Sequence, residues 1–339
     1  MIPDTLGAFI AGCAGTTLLS EERAFFARTQ PFAFILFARN IDTPDQIRAL
    51  CSDLRDSVGW NAPILIDQEG GRVARLRPPL ARDWLAPLDE AARAGDRAAE
   101  VFHLRYRIIA AELRALGIDG NCAPCADVMR PDTHEILLNR CYGDTPARVG
   151  ELGRAVSDGL LAGGVLPVLK HIPGHGAATA DSHLELPRVD LAEDILRATD
   201  FAPFAELADI PMGMTAHVVY AAIDPDLCAT VSPRMIDLMR SDLGFNGLLM
   251  SDDISMQALS GTIHSRSHAA IAAGCDVVLH CNGDMVEMEE VAEAAGPMTA
   301  AAHARAARVI AMRAEDAAGD LDALSAQWEA LIAGLSGDG

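Results

Sequence analysis

The sequence predicts an α/β fold, a (β/α)8 TIM barrel, and three observations carry that expectation. Short apolar runs of strand length alternate with longer amphipathic, Ala- and Leu-rich stretches from one end of the chain to the other. Eight such units fit within residues 1–295, whereas an open doubly wound sheet usually stops at five or six strands, which leaves a two-domain doubly wound fold as the second choice. Charged and polar residues also recur immediately after the apolar runs, where a barrel gathers its site.

The elements follow in order. Strands are expected at Leu6–Cys13, Ala33–Phe37, Pro63–Asp67, Ile118–Ala123, Val165–Lys170, Met212–Ala216, Gly247–Ser251 and Asp276–His280. Helical patterns lie between and after them at 20–29, 43–57, 86–116, 145–162, 192–207, 232–242, 262–273 and 284–295. Thr43-Pro-Asp opens the second helix and Ser232-Pro the sixth; Pro suits the first helical position because its missing donor had no partner there. The remaining stretch, Pro297–Leu335, is Ala-rich and helical in pattern, too short for a separate catalytic domain and expected on the barrel exterior. No repeat, low-complexity tract or Gly/Ser linker divides the chain, so residues 1–339 are expected to form a single catalytic domain.

Composition excludes several function classes. Half of the 339 residues are apolar, enough for a large core. With 27 Lys and Arg against 48 Asp and Glu, the net charge of −21 has the wrong sign for gripping a phosphate backbone, and no segregated basic patch offsets it. The longest apolar runs, such as Gly117–Cys122 and Leu248–Met250 with their neighbours, fall far short of the roughly 20 residues of a membrane span. The start, Met1-Ile-Pro-Asp-Thr, lacks the pattern of a secretory signal. A cytoplasmic protein without nucleic-acid or membrane partners is expected; no pattern sets an oligomeric state. The eight cysteines sit in or beside apolar segments as small hydrophobes, and Cys122-Ala-Pro-Cys125 has no second pair to complete a zinc site.

The expected strand ends are rich in chemistry. The third leads into Asp67-Gln-Glu-Gly-Gly-Arg72, with Arg75 expected one helical turn on, and the fourth into a loop holding Asp127 and later Asn139-Arg140. Strand five ends in Lys170-His171 and opens into Pro173-Gly-His-Gly-Ala-Ala-Thr-Ala-Asp-Ser-His183. Strand six ends in Thr215-Ala-His217 and strand seven in Ser251-Asp-Asp-Ile-Ser-Met256. One polar residue after a strand ordinarily caps the next helix, but Lys and Arg there oppose the helix dipole, so the pattern reads as a functional cluster. Asp67, Asp181 and Asp252 nearly balance Arg75, Arg140 and Lys170, which suits a neutral polyol. Successive side chains on a strand point oppositely, so only one of Asp252 and Asp253 is expected to face the barrel axis, and sequence parity does not choose between them.

The segment Lys170-His-Ile-Pro-Gly-His-Gly-Ala-Ala-Thr-Ala-Asp-Ser-His-Leu-Glu-Leu-Pro187 resembles the signature of the glycoside hydrolase family 3 β-N-acetylglucosaminidases, bacterial enzymes of peptidoglycan recycling. Ile35-Leu-Phe-Ala-Arg-Asn40, Asp67-Gln-Glu-Gly-Gly-Arg-Val73, Asn139-Arg140, Met214-Thr-Ala-His217, Gly244-Phe-Asn-Gly247, Ser251-Asp-Asp-Ile-Ser-Met256 and Ala273-Gly-Cys-Asp276 resemble that family's pattern in the same order. The resemblance implies Asp252 as nucleophile, His183 as general acid/base and Asp181 as its carboxylate partner. It further implies that Asp67, Arg75, Arg140, Lys170 and His171 hold the sugar. The implied substrate is a small amino sugar or muropeptide, N-acetylglucosamine linked to 1,6-anhydro-N-acetylmuramic acid with or without peptide; no cofactor or metal is expected.

The chemistry is consistent with these roles. Retaining glycoside hydrolysis needs one group to attack the anomeric carbon and one to exchange a proton with the leaving oxygen. A His can supply the proton when a carboxylate orients it and favours its cation. Asp181 and His183, at i and i+2 in an extended segment, would lie on one side of the chain; the alternative is a solvated loop ion pair. With three Trp and three Tyr, the chain is poor in stacking platforms, so recognition should lean on hydrogen bonds. A zinc hydrolase using His171, His175, His183 and His217 is a second reading, opposed by Pro173 and Gly174, which break the helix that would align the first two. An inactive sugar-binding protein is a third. The Gly- and Ala-rich stretch Pro173–Asp181 is expected to be poorly anchored and mobile before substrate binds.

Overall fold

The computed structural model describes residues 2–180, 185–313 and 319–335. Eight strands close into a parallel barrel: β1 (Gly7–Gly12), β2 (Pro31–Leu36), β3 (Ile64–Ile66), β4 (Gly120–Asn121), β5 (Leu166–Ile172), β6 (Met212–Thr215), β7 (Leu248–Asp253) and β8 (Val277–His280). Closure comes from β8 on β1, in the register Phe9–Val278, Ile10–Leu279 and Ala11–His280. All eight expected strands are present, and the fold is the expected TIM barrel.

Strand alternation builds two cores. Leu166 and Val168, Met212 and Met214, Leu248 and Met250, and Val277 and Leu279 face inward together with Ile10, Ile35 and Leu65. Their neighbours, including Phe9, Phe34, Ile64, Ile66, Leu169, Leu249 and Val278, face outward onto the helices. A period of two on strands buried on both faces explains why each reads as a continuous apolar run.

The helices are α1 (Ser20–Thr29), α2 (Pro44–Val58), α3 (Ala98–Ala115), α4 (Pro146–Ala162), α5 (Ala202–Glu206), α6 (Pro233–Asp237), α7 (Ile263–Ala273) and α8 (Met285–Ala295). The caps act as read: the Thr43 hydroxyl accepts from Gln46 N at 3.2 Å and that of Ser232 from Met235 N at 3.1 Å. Two long patterns are each broken. The stretch 86–116 divides into Pro87–Ala94 and α3 because Gly95 has φ 54°, which an L side chain rarely adopts. The stretch 192–207 divides into Glu193–Ala198 and α5, with Pro203 in the first turn of the second piece, where a helix interior would not tolerate it. Their apolar positions are buried in both pieces, so periodicity alone ran across the breaks.

Beyond the barrel, α9 (Ala300–Ala311) and α10 (Leu321–Leu335) dock on its outside. Arg305 and Arg240 both pair with Asp276 at the start of β8, at 2.8 and 2.7 Å, and Arg313 pairs with Asp119 before β4 at 2.7 Å. Trp328 of α10 meets Trp84 edge to face, with ring centres 4.9 Å apart. Among the described residues, no helix is long and apolar enough to cross a membrane.

Candidate active site

On five of the strands the inward face continues past its last apolar residue to the mouth of the barrel. Ile35 is followed two positions on by Phe37, Leu65 by Asp67, Val168 by Lys170, Met250 by Asp252 and Leu279 by Cys281. All ten line, or lie directly beneath, a cavity of about 350 Å³ at the carboxyl-terminal mouth of the barrel, which also receives Arg72, Arg75, Arg140, His171, Asp253 and Met256. A larger cleft of about 840 Å³ lies at the other end, between the starts of β1 and β2 and the flank of α8, with Arg28, Glu289, Glu290 and Glu293 on its walls.

Strict alternation fails at two strand ends. The register of β5 against β6 slips between Leu169 and Ile172, and that of β7 against β8 slips between Met250 and Asp253. An extra residue in a strand re-aims its side chains, and barrel rims are common places for it. Lys170 and His171 therefore both reach the cavity, as do Asp252 and Asp253. The expectation that only one of the two aspartates could face the axis is corrected accordingly.

Four of the expected sugar-holding residues join one ion network. Lys170 Nζ lies 2.9 Å from Asp67 and 2.7 Å from Glu69, Arg75 lies 2.9 Å from Asp67, and Arg140 donates Nε and Nη2 to the two oxygens of Glu69 at 2.9 and 2.8 Å. Arg75 is not one helical turn beyond Arg72. It follows a β-hairpin in which Gln68–Gly70 pairs antiparallel with Val73–Ala74, and the hairpin folds it back over Asp67, with its guanidinium 5.1 Å from the Phe37 ring centre. Burial by itself would raise the Asp67 carboxyl, but Lys170 and then Arg75 hold it well below the usual range. Burial opposes Glu69 too, and Arg140 followed by Lys170 brings it down to about 2. Burial would likewise discharge Lys170, yet Asp67 and Glu69 raise it well above the ordinary lysine value. Glu69 stands inside a quoted motif, yet no role was read for it. The missed signal is its spacing: i and i+2 across a strand end bring it with Asp67 to one cation.

The histidines are held by different means. His171 Nδ1 lies 2.7 Å from Asp127, a carboxylate without solvent exposure. His217 is tied by Nε2 to the carbonyl of Asp253 at 3.1 Å and by Nδ1 to the Thr230 hydroxyl at 2.7 Å. Burial lowers the pKa of His217, against the pull of Asp252. A carbonyl only accepts, so Nε2 donates to Asp253, while the Thr230 hydroxyl is shared among His217 Nδ1, the Ala216 carbonyl at 3.2 Å and the Thr215 hydroxyl at 2.8 Å. The chain Thr215–Thr230–His217 thus grips the backbone beside Asp252. Burial would raise Asp252, but His171, His217 and the Asp253 N–H lower it.

The stretch after β5 is better anchored than its glycines and alanines suggested. The Tyr220 hydroxyl donates to Gly174 O at 2.6 Å, the Thr133 hydroxyl to Gly176 O at 2.7 Å, and His175 N to Asp127 at 2.6 Å. A Cβ on Gly176 would stand 1.9 Å from Val128 O. Pro173, Gly174, His175, Gly176 and Ala178 are buried, so the expectation of a poorly anchored loop is wrong for this part. Small residues here permit close backbone approach rather than freedom. Asp181 and His183, the expected acid/base pair, lie outside the described residues.

The eight cysteines are free, and Cys122 and Cys125 are buried, as expected of packing residues. Among the described residues one group could converge on a metal: Cys125, Asp127 and His171, with donor atoms within 4.8 Å of one another. Its spacings are those of hydrogen bonds, 3.3 Å from the thiol and 2.7 Å from the imidazole to Asp127, and burial holds the thiol far above its ordinary pKa.

A closed barrel with this polar cavity at its carboxyl-terminal mouth defines a TIM-barrel enzyme. Residues 16–312 match the glycosyl hydrolase family 3 N-terminal domain, and the chain belongs to that family of glycoside hydrolases. It is 40% identical over 285 residues to a beta-hexosaminidase of Alkalilimnicola ehrlichii, covering 82% of this chain and 81% of that one, and 36% identical over the same coverage to one of Nitrosomonas eutropha. Native NagZ from Neisseria gonorrhoeae superposes with a TM-score of 0.83 at 30% identity over 98% of both chains. Its complex with N-trifluoroacetyl-D-glucosamine gives a TM-score of 0.84 at 29% identity over the same coverage.

Proposed function

We propose that the protein is a retaining exo-β-N-acetylglucosaminidase that releases terminal N-acetylglucosamine from small cell-wall fragments in the cytoplasm. The whole chain serves as one catalytic unit, its C-terminal helices docked on the barrel. Asp252 attacks the anomeric carbon and carries the covalent glycosyl ester. His183 protonates the leaving oxygen and then activates water, and Asp181 supports its cation.

The observation that carries this reading is the contrast in how the cavity's carboxylates are used. Asp67 and Glu69 are neutralised by Lys170, Arg75 and Arg140, and Asp253 is bound by backbone and hydroxyl donors, whereas Asp252 accepts the N–H of Asp253 at 2.8 Å and lies in the field of two imidazoles. An ionised carboxylate that has no salt-bridge partner among the described residues is a nucleophile ready for an oxocarbenium-like centre. The network around it supplies sugar contacts: with two N–H groups of Lys170 aimed at Asp67 and Glu69, a third is left for a hydroxyl, and Arg140, engaged through Nε and Nη2, keeps Nη1. Arg75 and His171 complete the ring of donors and acceptors. The relatives named beta-hexosaminidase and the neighbour holding an N-acylated glucosamine analogue support the sugar class. Eight free cysteines accord with a reducing compartment.

The decisive experiment is hydrolysis of an aryl β-N-acetylglucosaminide, with and without chelator, followed by purified muropeptides beside chitobiose. Chelator-insensitive release of N-acetylglucosamine, with retention at the anomeric centre, is expected. Loss of activity to chelator would instead establish a metal-dependent hydrolase, and binding without turnover a sugar-binding protein.

A further inference from the structure

Asp127 sits beneath the cavity rather than in its lining, and four donors converge on it. One oxygen takes the backbone N–H groups of His175 at 2.6 Å and His171 at 3.4 Å; the other takes the Cys125 thiol at 3.3 Å and stands 2.7 Å from His171 Nδ1. The residue has no solvent exposure and needs every one of these donors, since a buried carboxylate without them would be very costly. Burial raises its carboxyl, but His171 above all, and then His175, hold it well below the usual range. It is therefore ionised and can only accept.

An acceptor-only partner decides where the proton sits on an imidazole. Nδ1 of His171 must carry hydrogen, which leaves Nε2 to face the cavity that His171 lines. We infer that Asp127 is a positioning residue that imposes the Nδ1–H tautomer on His171, so that the ring in its neutral form presents a hydrogen-bond acceptor to a sugar hydroxyl. The inference rests on the reading of the cavity as a sugar site, and it adds a direction to one contact: the hydroxyl donates and His171 receives. Among the described residues, the charged and titratable groups near the ring are Asp127 below it, Lys170 beside it on β5, His175 with its ring centre 5.7 Å away, Asp252 across the cavity, and His217. Lys170 is engaged by Asp67 and Glu69.

The test begins on the native protein. In ¹⁵N-histidine-labelled enzyme at a pH above the titration of the imidazoles, the His171 signal, assigned by its loss in His171→Gln, should show a protonated Nδ1 and an unprotonated Nε2. Asp127→Asn keeps the size and one acceptor oxygen but can turn an N–H toward Nδ1, so the proton should move to Nε2. Outer partners that fix an imidazole are typically worth about 10- to 100-fold, and kcat/KM on the aryl glycoside should fall by that much in Asp127→Asn. The loss should shrink for whichever of the 3-, 4- or 6-deoxy substrates lacks the hydroxyl that His171 accepts from. A native proton on Nε2 overturns the inference whether or not the variant folds, and so does an equal loss on the parent and all deoxy substrates. If the wild type fails to hydrolyse the aryl glycoside, the functional reading falls, while the tautomer is still decided by the spectrum.

Discussion

Asp252 and Asp253 are chain neighbours at the end of β7 with their carboxylates committed differently. Asp253 accepts from Ser255 N at 3.1 Å, from the Ser255 hydroxyl at 2.8 Å and from Cys281 N at 3.2 Å, so it ties the end of β7 to the end of β8. Asp252 accepts from Asp253 N at 2.8 Å, and the described residues give it no cation within ion-pair distance. One carboxylate is a fastener and the other is available for reaction.

That division predicts which residue a mechanism-based label finds. A fluorinated glycosyl donor should form an ester on Asp252, identified by peptide mapping. Asp252→Asn should lower kcat by at least about 10⁴-fold, as loss of one member of a covalent catalytic unit does. Asp253→Asn should act chiefly on stability. A label on Asp253, or an inverted product anomer, rejects the assignment.

Glu69 should be costly to neutralise although it takes no part in bond breaking. Glu69→Gln leaves Lys170 and Arg140 short of a partner in a site where Glu69 and Lys170 are almost without exposure, and removing one member of a buried pair costs about 3 kcal/mol. Its folded pKa, about 2, lies below the unfolded value of roughly 4.3, so its stabilisation is complete above that unfolded value and drains away as pH falls toward 2. The gap in Tm between wild type and Glu69→Gln should therefore be constant near neutrality and close below about pH 4. A gap that widens on acidification contradicts the network.

The packed glycines after β5 can be tested with one methyl group. Gly176→Ala would press a Cβ into Val128 O, and Gly174→Ala, at φ 139°, into Asp200 O at 2.5 Å. Overpacking of this kind costs about 1–3 kcal/mol. Chemical denaturation should show that loss in each variant. Unchanged midpoints would mean that the segment is loose, as its composition had suggested.

His183→Ala should remove about 10²- to 10⁴-fold of rate, the usual worth of general acid/base help. Glycosylation should suffer less when the leaving group is a good phenolate, which needs no proton. Asp181→Asn should follow the same pattern more weakly. Equal losses on good and poor leaving groups would make His183 a structural residue.

The barrel was legible because each strand is buried on both faces and each helix on one, which writes a run and then a period into the chain. Local capping at Thr43 and Ser232 was equally plain, since a cap is satisfied by residues three positions away. Helix interruptions at Gly95 and before Pro203 were masked because both pieces bury an apolar face. In the site, Asp67, Arg75, Arg140, Lys170, His171 and Asp252 were recognisable from motif order, and the cavity brings all six together.

The sequence by itself determined the strand–helix alternation and the kinds of charge waiting at the mouth. Tertiary structure decided what those charges do. The slips of register at Lys170-His171 and Asp252-Asp253 depend on how neighbouring strands pair, and pairing is not written in either strand alone. Likewise Glu69 meets Arg140 across 71 positions and Asp127 meets His171 across 44, so their roles exist only after the barrel has closed. Burial at that closed rim then turns ordinary carboxylates into fixed acceptors, because removal from water makes each one depend on the donors the fold has placed around it.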